Sequence, residues 1–311
     1  MKAVMYHYVR EYNPQLPFFT FLDFKNFQEQ LDYFNSEYGF VSKEDWVQAL
    51  NEKSLGNAKG KILLTFDDAV SCHYDYVFPE LLKRGLWGIF YVPTQPYQKS
   101  KILDVHRIHL LCGAFEGIKL IATLKELLDE SMIPDKKIRE FREQTYTRQD
   151  NFEGVSEFKR ILNYYISYEY REALIDSIAA DLGFEFNVSD FYISIDKLKE
   201  MQLGGNIIGS HTVSHPVMSK LSDTEQRSEI SDSFSFLSGI GYESIKTYCH
   251  PYGGFQSFND ETVAALNLNN VDFSFNVEPR DICNNDFLSS IQFLPRYDCN
   301  QFPFGNATKT R

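Results

Sequence analysis

Apolar and polar positions along this chain follow two alternating rhythms. Short, nearly unbroken apolar runs predict strands at Ala3–Val9, Lys61–Phe66, Leu86–Val92, Asn206–Ser210, Lys246–Cys249 and Asp272–Val277. Between several of these runs the apolar residues fall at helical spacing. Phe24, Phe27, Leu31 and Phe34 give one buried face to a helix around Asp23–Ser36, and Ser42 is placed to cap a second helix carrying Trp46 and Leu50. Further helices are predicted over His73–Lys83, near Asn259–Leu266, and from Ser222, where Ser222 and Glu225 have capping-box spacing. From about Tyr97 to Leu203 the strand rhythm stops. There "GIKLIATLKELLDES", "SEFKRILNYYI" and "YEYREALIDSIAADLG" are amphipathic, with charged residues separating them.

Strands alternating with helices imply an α/β fold: a parallel sheet with short connections, closed or nearly closed into a barrel. The helical middle third, residues 97–203, reads as an insertion at the rim where the strands end, inside one domain spanning 1–311. The chain shows no internal repeat and no low-complexity segment.

Composition narrows the class. With 43% hydrophobic and 24% charged residues the chain is an ordinary soluble globular protein. Its 27 Phe and 19 Tyr suit a thick core, and core packing covers most of them. A formal net charge of −12 argues against broad binding of nucleic acid or anionic lipid. No stretch reaches the roughly 18 apolar residues that mark a membrane span, and "MKAVMYHYVREYN" lacks a signal-peptide pattern. The five Cys (72, 112, 249, 283, 299) are odd in number and lack CxxC spacing, which favours reduced thiols. The expected location is therefore cytoplasmic, with the inner membrane surface as a working place. Oligomeric state is left open.

Three predicted strands end in loops rich in ligand-type residues. Asp67 and Asp68 follow the run "ILLTF"; two adjacent carboxylates repel and are costly to desolvate unless a cation compensates them. The loop "GSHTVSHP" carries His211 and His215 at i, i+4, and Pro216 disfavours continuing a helix through His215. The third, "YCHPYGG", carries His250, Tyr252 and Gly253. A His pair at this spacing is weak by itself. Two imidazoles with one carboxylate, all at strand ends that share one rim, are a common divalent-metal set with positions left open.

"TFDD", "HTVSH" and "PYG", in this order on successive strand ends, resemble the NodB-homology polysaccharide deacetylases (carbohydrate esterase family 4), over about 1–96 and 204–300. The resemblance implies a distorted or incomplete (β/α)7-type barrel with the helical insertion interposed. It implies one divalent metal ion, Zn2+ first and Co2+, Ni2+ or Mn2+ as alternatives, held by Asp68, His211 and His215. It makes Asp67 the general base and Tyr252 the residue whose backbone N–H helps hold the oxyanion. Two positions depart from the family pattern. Cys249 stands where members carry the Arg that holds the catalytic Asp, and no His follows His250 to serve as the late general acid. The N-terminal "VMYHYV" resembles the first-strand MYH of the exopolysaccharide-deacetylase branch, which assigns His7 as the acid; the alternative is a structural His at a strand end. Arg296, in "FLPRYD", is the candidate replacement for the missing Arg, with a surface ion pair to Asp298 as the rival reading. His250 is expected to be a supporting residue, His73 to cap or decorate a helix, and His106 and His109 to lie on a helix face. The implied activity is removal of an N-acetyl or N-formyl group from an amino sugar in surface polysaccharide or lipopolysaccharide biosynthesis. A same-fold amidase or O-acetyl esterase, and an inactive sugar-binding homologue, are the alternatives.

Overall fold

The apolar runs assemble, in the computed structural model, into a seven-stranded parallel sheet. The structure describes residues 1–135, 137, 154–187, 191–241 and 245–308. The remainder of the predicted insertion therefore lies outside the described residues. In chain order the strands are β1 (Lys2–Tyr6), β2 (Val9–Arg10), β3 (Leu22–Asp23), β4 (Ile62–Phe66), β5 (Ile89–Val92), β6 (Ile207–Ser210), β7 (Thr247–Cys249), β8 (Phe273–Phe275) and β9 (Tyr297–Asp298). Their order in the sheet is β8-β7-β6-β5-β4-β1-β9, while β2 and β3 form a separate parallel pair.

Both faces of the sheet are covered, so strand side chains sort into two cores by alternation. Val4, Tyr6, Leu64, Phe66, Phe90, Val92 and Ile208 enter one core, where Phe66 stacks on Phe90 at 4.6 Å. Ala3, Leu63, Ile89, Tyr91, Ile207, Cys249, Phe273 and Phe275 enter the other, against fully buried Trp46. Burying each such large side chain contributes on the order of 1.5–3 kcal/mol. The segment after Phe293 joins the two edges of the sheet. Leu294 N–H donates to Ser274 O at 2.8 Å, and its carbonyl accepts from Asn276 N–H at 3.0 Å. Glu278 N–H donates to Arg296 O at 3.2 Å, and from the next residue, Tyr297, β9 pairs with β1. The expected distorted barrel is thus closed by a short seam with Arg296 at its centre.

Two predicted elements differ. The first run breaks after Tyr6, because the main chain leaves β4 there and Tyr8 O accepts from Leu22 N–H at 2.8 Å, starting the small β2–β3 pair. The helix expected over His73–Lys83 begins as a wide π-type turn, His73–Val77, and becomes α-helical only at Phe78–Arg84. Pro79 has no N–H to donate to the turn before it, so the ladder widens locally. Elsewhere the caps act as the sequence indicates. Ser42 Oγ accepts from Asp45 N–H, and Ser222 with Glu225 forms a complete capping box.

The chain divides into two compact units. The first holds the sheet. The second comprises Tyr12–Thr20 with Ile102–Val188 and has its own apolar centre of Leu111, Leu120, Leu124, Phe158, Leu162, Ile175 and Ile178. Its buried Arg107 pairs with Asp104 and Asp176, and Arg171 Nε reaches Asp104 Oδ2 at 3.0 Å. Among the described residues no helix is long and apolar enough to cross a membrane, and all five cysteines are free thiols.

Candidate metal and catalytic site

Three strand ends in the sheet unit carry the ligand-type residues, and their backbone is unusual. Of the nine non-glycine residues with positive φ among the described residues, five lie in these loops: Asp68 (81°), Ala69 (49°), Thr212 (67°), His215 (56°) and Tyr252 (64°). Left-handed backbone at such residues is unfavourable and persists only where surrounding bonds impose it, commonly at functional sites. Gly253 is required in the third loop, since a Cβ there would come within 2.1 Å of Val277 Cγ2.

Asp68 Oδ1 lies 3.6 Å from His211 Nε2 and 3.5 Å from His215 Nε2, with all three residues buried. The donor atoms of this group lie within 4.8 Å of one another. His211 Nδ1–H donates to Cys249 O at 2.8 Å, which leaves the Nε2 lone pair aimed toward Asp68. Burial pushes the His211 imidazole below its ordinary pKa against the pull of Asp67 and Asp68, so the ring is poised as the neutral ligand form. One carboxylate and two imidazoles on this spacing fit a divalent ion. Asp67, His211 and Cys249 form the other such group among the described residues, but the Arg296 guanidinium already occupies its side.

Asp67, one residue earlier, has a different set of partners. By strand alternation it continues the face of Leu63 and Thr65. Arg296 grips it with both ends of the guanidinium, Nη1 to Oδ1 at 2.8 Å and Nη2 to Oδ2 at 2.9 Å. The same side chain reaches Thr65 Oγ1 at 3.0 Å, Asn276 O at 3.2 Å and Cys249 Sγ at 2.8 Å. Arg296 is fully buried, which excludes the surface pair with Asp298; Asp298 instead caps the following turn. Burial alone raises the Asp67 pKa, but Arg296, with His211 and His7, outweighs it and holds the carboxyl at about 2. Cys249 is thus small enough to admit a guanidinium arriving from the seam, where a long side chain on β7 would compete for the space.

His7 follows β1, whose register with β4 (Tyr6↔Phe66) puts it beside Asp67 along the rim; Asp67 N–H donates to Tyr6 O at 2.9 Å. It is half-buried, and its carbonyl accepts from His73 Nε2–H. His73 is buried against Phe66 and Phe90, and desolvation lowers its pKa to about 4. The Tyr252 ring packs 5.0 Å from that of His215. His250 stacks on Phe258 at 3.9 Å, and its Nε2–H donates to Gln292 O at 2.8 Å; it supports the loop from the far side of β7. His106 and His109 lie on the helix Asp104–Ala114 of the second unit and belong to neither donor group. Thr65 and Asn276, which also contact Arg296, are not among the candidate residues that the sequence singles out. Thr65 has a visible signal, a polar residue inside the fully buried run "ILLTF". Asn276 contributes a carbonyl to Arg296, for which no sequence signal exists.

A parallel sheet with these motifs at the ends of β4, β6 and β7 has the arrangement of a carbohydrate-deacetylase type of hydrolase. Residues 180–273, which contain the HTVSH and PYG loops, match the family model for polysaccharide deacetylase. Solved structures agree on the fold. The deacetylase PplD of Streptococcus pyogenes, determined in complex with acetate, superposes with a TM-score of 0.58 at 18% identity, covering 96% of this chain and 91% of that one. A polysaccharide deacetylase from Bacillus cereus gives 0.53 at 14% identity, over 96% of this chain and 64% of that one. The BpsB deacetylase domain from Bordetella bronchiseptica gives 0.51 at 12% identity, over 96% and 94%. A search of curated proteins gave no match.

Proposed function

We propose that the chain is a metal-dependent N-deacetylase that removes an acetyl or formyl group from an amino sugar in surface polysaccharide or lipopolysaccharide biosynthesis. The observation that carries this reading is the pair of adjacent carboxylates with different partners: Asp68 faces two imidazoles, and Asp67 is gripped by a guanidinium. Asp68, His211 and His215 would hold a divalent ion, which would supply Lewis acidity toward the acyl carbonyl and the attacking water.

The protein's own groups do the rest. Asp67 is ionised at neutral pH and accepts the proton of the attacking water; Arg296 keeps its two oxygens in one orientation while it does so. Tyr252 donates its backbone N–H to the oxyanion of the tetrahedral intermediate. His7 donates a proton to the departing amine, which leaves as the C–N bond breaks, and the acyl group leaves as acetate or formate.

The reading is tested with purified protein on N-acetylated and O-acetylated oligosaccharides, following acetate release before and after removal of metal by a chelator. Release from N-acetyl groups that stops on chelation and returns on adding Zn2+ supports it. Release confined to O-acetyl groups, or unaffected by chelation, sinks it.

A further inference from the structure

The loop between the two metal-binding histidines is held by a carboxylate from outside it. Glu229 Oε2 accepts from the consecutive N–H groups of Val213 and Ser214, at 2.8 and 2.9 Å, and Oε1 accepts from Ser214 Oγ–H at 2.6 Å. Among the described residues Glu229 forms no ion pair, so a half-buried carboxylate in a protein of net charge −12 gives both oxygens to one loop. That helix, Asp223–Gly239, is tied to the strand preceding the loop, since Ser233 Oγ meets Ser210 Oγ at 2.6 Å one turn beyond Glu229. From the other side Thr94 N–H and Gln95 N–H donate to Thr212 O and Val213 O, at 3.1 and 2.9 Å. Thr212 Oγ1 closes the loop internally by accepting from His215 N–H at 2.9 Å.

The loop needs such anchoring. His211 and His215 must bring their Nε2 atoms to one carboxylate oxygen, and the chain between them passes through left-handed backbone at Thr212 and again at His215. Non-glycine residues leave such conformations readily unless other bonds impose them. Thr212 and His215 can relax without moving β6, and either change would carry an imidazole away from Asp68. Charge-assisted hydrogen bonds to consecutive N–H groups are the strong kind, and these fall on the two residues midway between the ligands.

We infer that Glu229 is a positioning residue for metal capture, fixing the loop so that both imidazoles are aligned before the ion arrives. This rests on the metal reading of Asp68, His211 and His215. Residues that orient metal ligands without touching the ion typically change affinity about 10–100-fold when removed.

The test is zinc affinity of the metal-free protein, read by competition with a chromophoric chelator, with thermal unfolding of each metal-free variant as the check on folding. Glu229→Ala is expected to weaken zinc binding about 10–100-fold. Glu229→Gln keeps an oxygen for the two N–H groups and is expected to recover most of that loss. Ser214→Ala, which removes only the hydroxyl bond, is expected to cost about 3-fold and serves if Glu229→Ala fails to fold. Glu229→Ala binding zinc as tightly as wild type overturns the inference, as does Glu229→Gln binding as weakly as Glu229→Ala, which makes charge and not alignment the cause. If Glu229→Ala does not fold, unchanged affinity in Ser214→Ala overturns it. Wild-type protein that takes up no zinc overturns the metal reading itself, and the inference with it.

Discussion

Asp67 and Asp68 are neighbours in sequence and almost equally buried, yet they stand in opposite electrostatic settings. Asp67 is bound on both oxygens by a permanent cation that belongs to the protein. Asp68 faces two imidazoles, of which burial favours His211 as neutral, at distances suited to an ion shared among them. The backbone explains how one strand end provides both. Asp67 still follows the pleat of β4 and faces the Arg296 side, while Asp68 enters the left-handed region and turns the chain toward the His loop. The lesson is that a repulsive carboxylate pair can be kept if each member has its own counter-charge. One charge is built in; the other is supplied by whatever the site binds.

The contrast is broken most completely on the Asp68 side. His211→Ala or Asp68→Ala is expected to reduce bound divalent metal from about one per chain to near none and to abolish hydrolysis; metal analysis of the purified variants reads this directly. Retention of metal by both variants would show that the donor set lies elsewhere. On the Asp67 side the expected failure is different. Asp67→Asn is expected to keep the metal and lose about 10²–10⁴-fold in kcat, the usual scale for a general base. Equal metal loss in Asp67→Asn and Asp68→Ala would erase the distinction.

The next effect is on stability. Arg296→Met leaves a buried carboxylate without its cation, which typically costs about 3–5 kcal/mol. Chemical denaturation of the metal-free protein should show it. Adding Asp67→Leu to Arg296→Met removes the stranded charge and is expected to recover most of the loss, because a buried ion pair contributes little net stability over an apolar pair. A loss under about 1 kcal/mol in the single variant would mean that water enters the seam and that Arg296 is not the buried partner proposed for Asp67.

How far these assignments were legible in sequence depended on the kind of feature. The strand-end motifs were legible because a carboxylate pair after "ILLT" and two imidazoles before a proline conflict with an ordinary core. Helix starts were legible where Ser42 and Ser222 cap them, since capping is a local interaction. Arg296 could be nominated as the partner of Asp67, but its pairing spans 229 residues and depends on the closing seam, a tertiary fact. The break after Tyr6 and the widened turn before Pro79 were missed for opposite reasons. The first is set by long-range hydrogen bonding to Leu22; the second has a local cause whose consequence, a π-type turn, pattern spacing does not distinguish from a helix. Glu229 had no sequence signal, since a Glu on an acidic amphipathic helix reads as a solvated face.

The histidines repeat the contrast at lower amplitude. His211 keeps Nε2 for Asp68, whereas His73 and His250 use Nε2–H on the carbonyls of His7 and Gln292. Desolvation is the main reason the pKa falls to about 4 at His73 and about 3 at His250. A free imidazole in the unfolded chain titrates near about 6.5. Between that value and the lowered one the unfolded state binds more protons than the folded state, so stability must fall as pH falls through this window. Each of the two rings is expected to cost about 1 kcal/mol on going from pH 6 to pH 5, and nothing above about pH 7.5. Denaturant unfolding of the metal-free protein at these pH values measures the slope. His250→Phe, which keeps the stacking on Phe258 and removes the titrating group, should lower the slope by one ring's share even though it loses the bond to Gln292 O. An unchanged slope would mean that His250 is hydrated in the folded protein, and the supporting role assigned to it on the far side of β7 would then have to be abandoned.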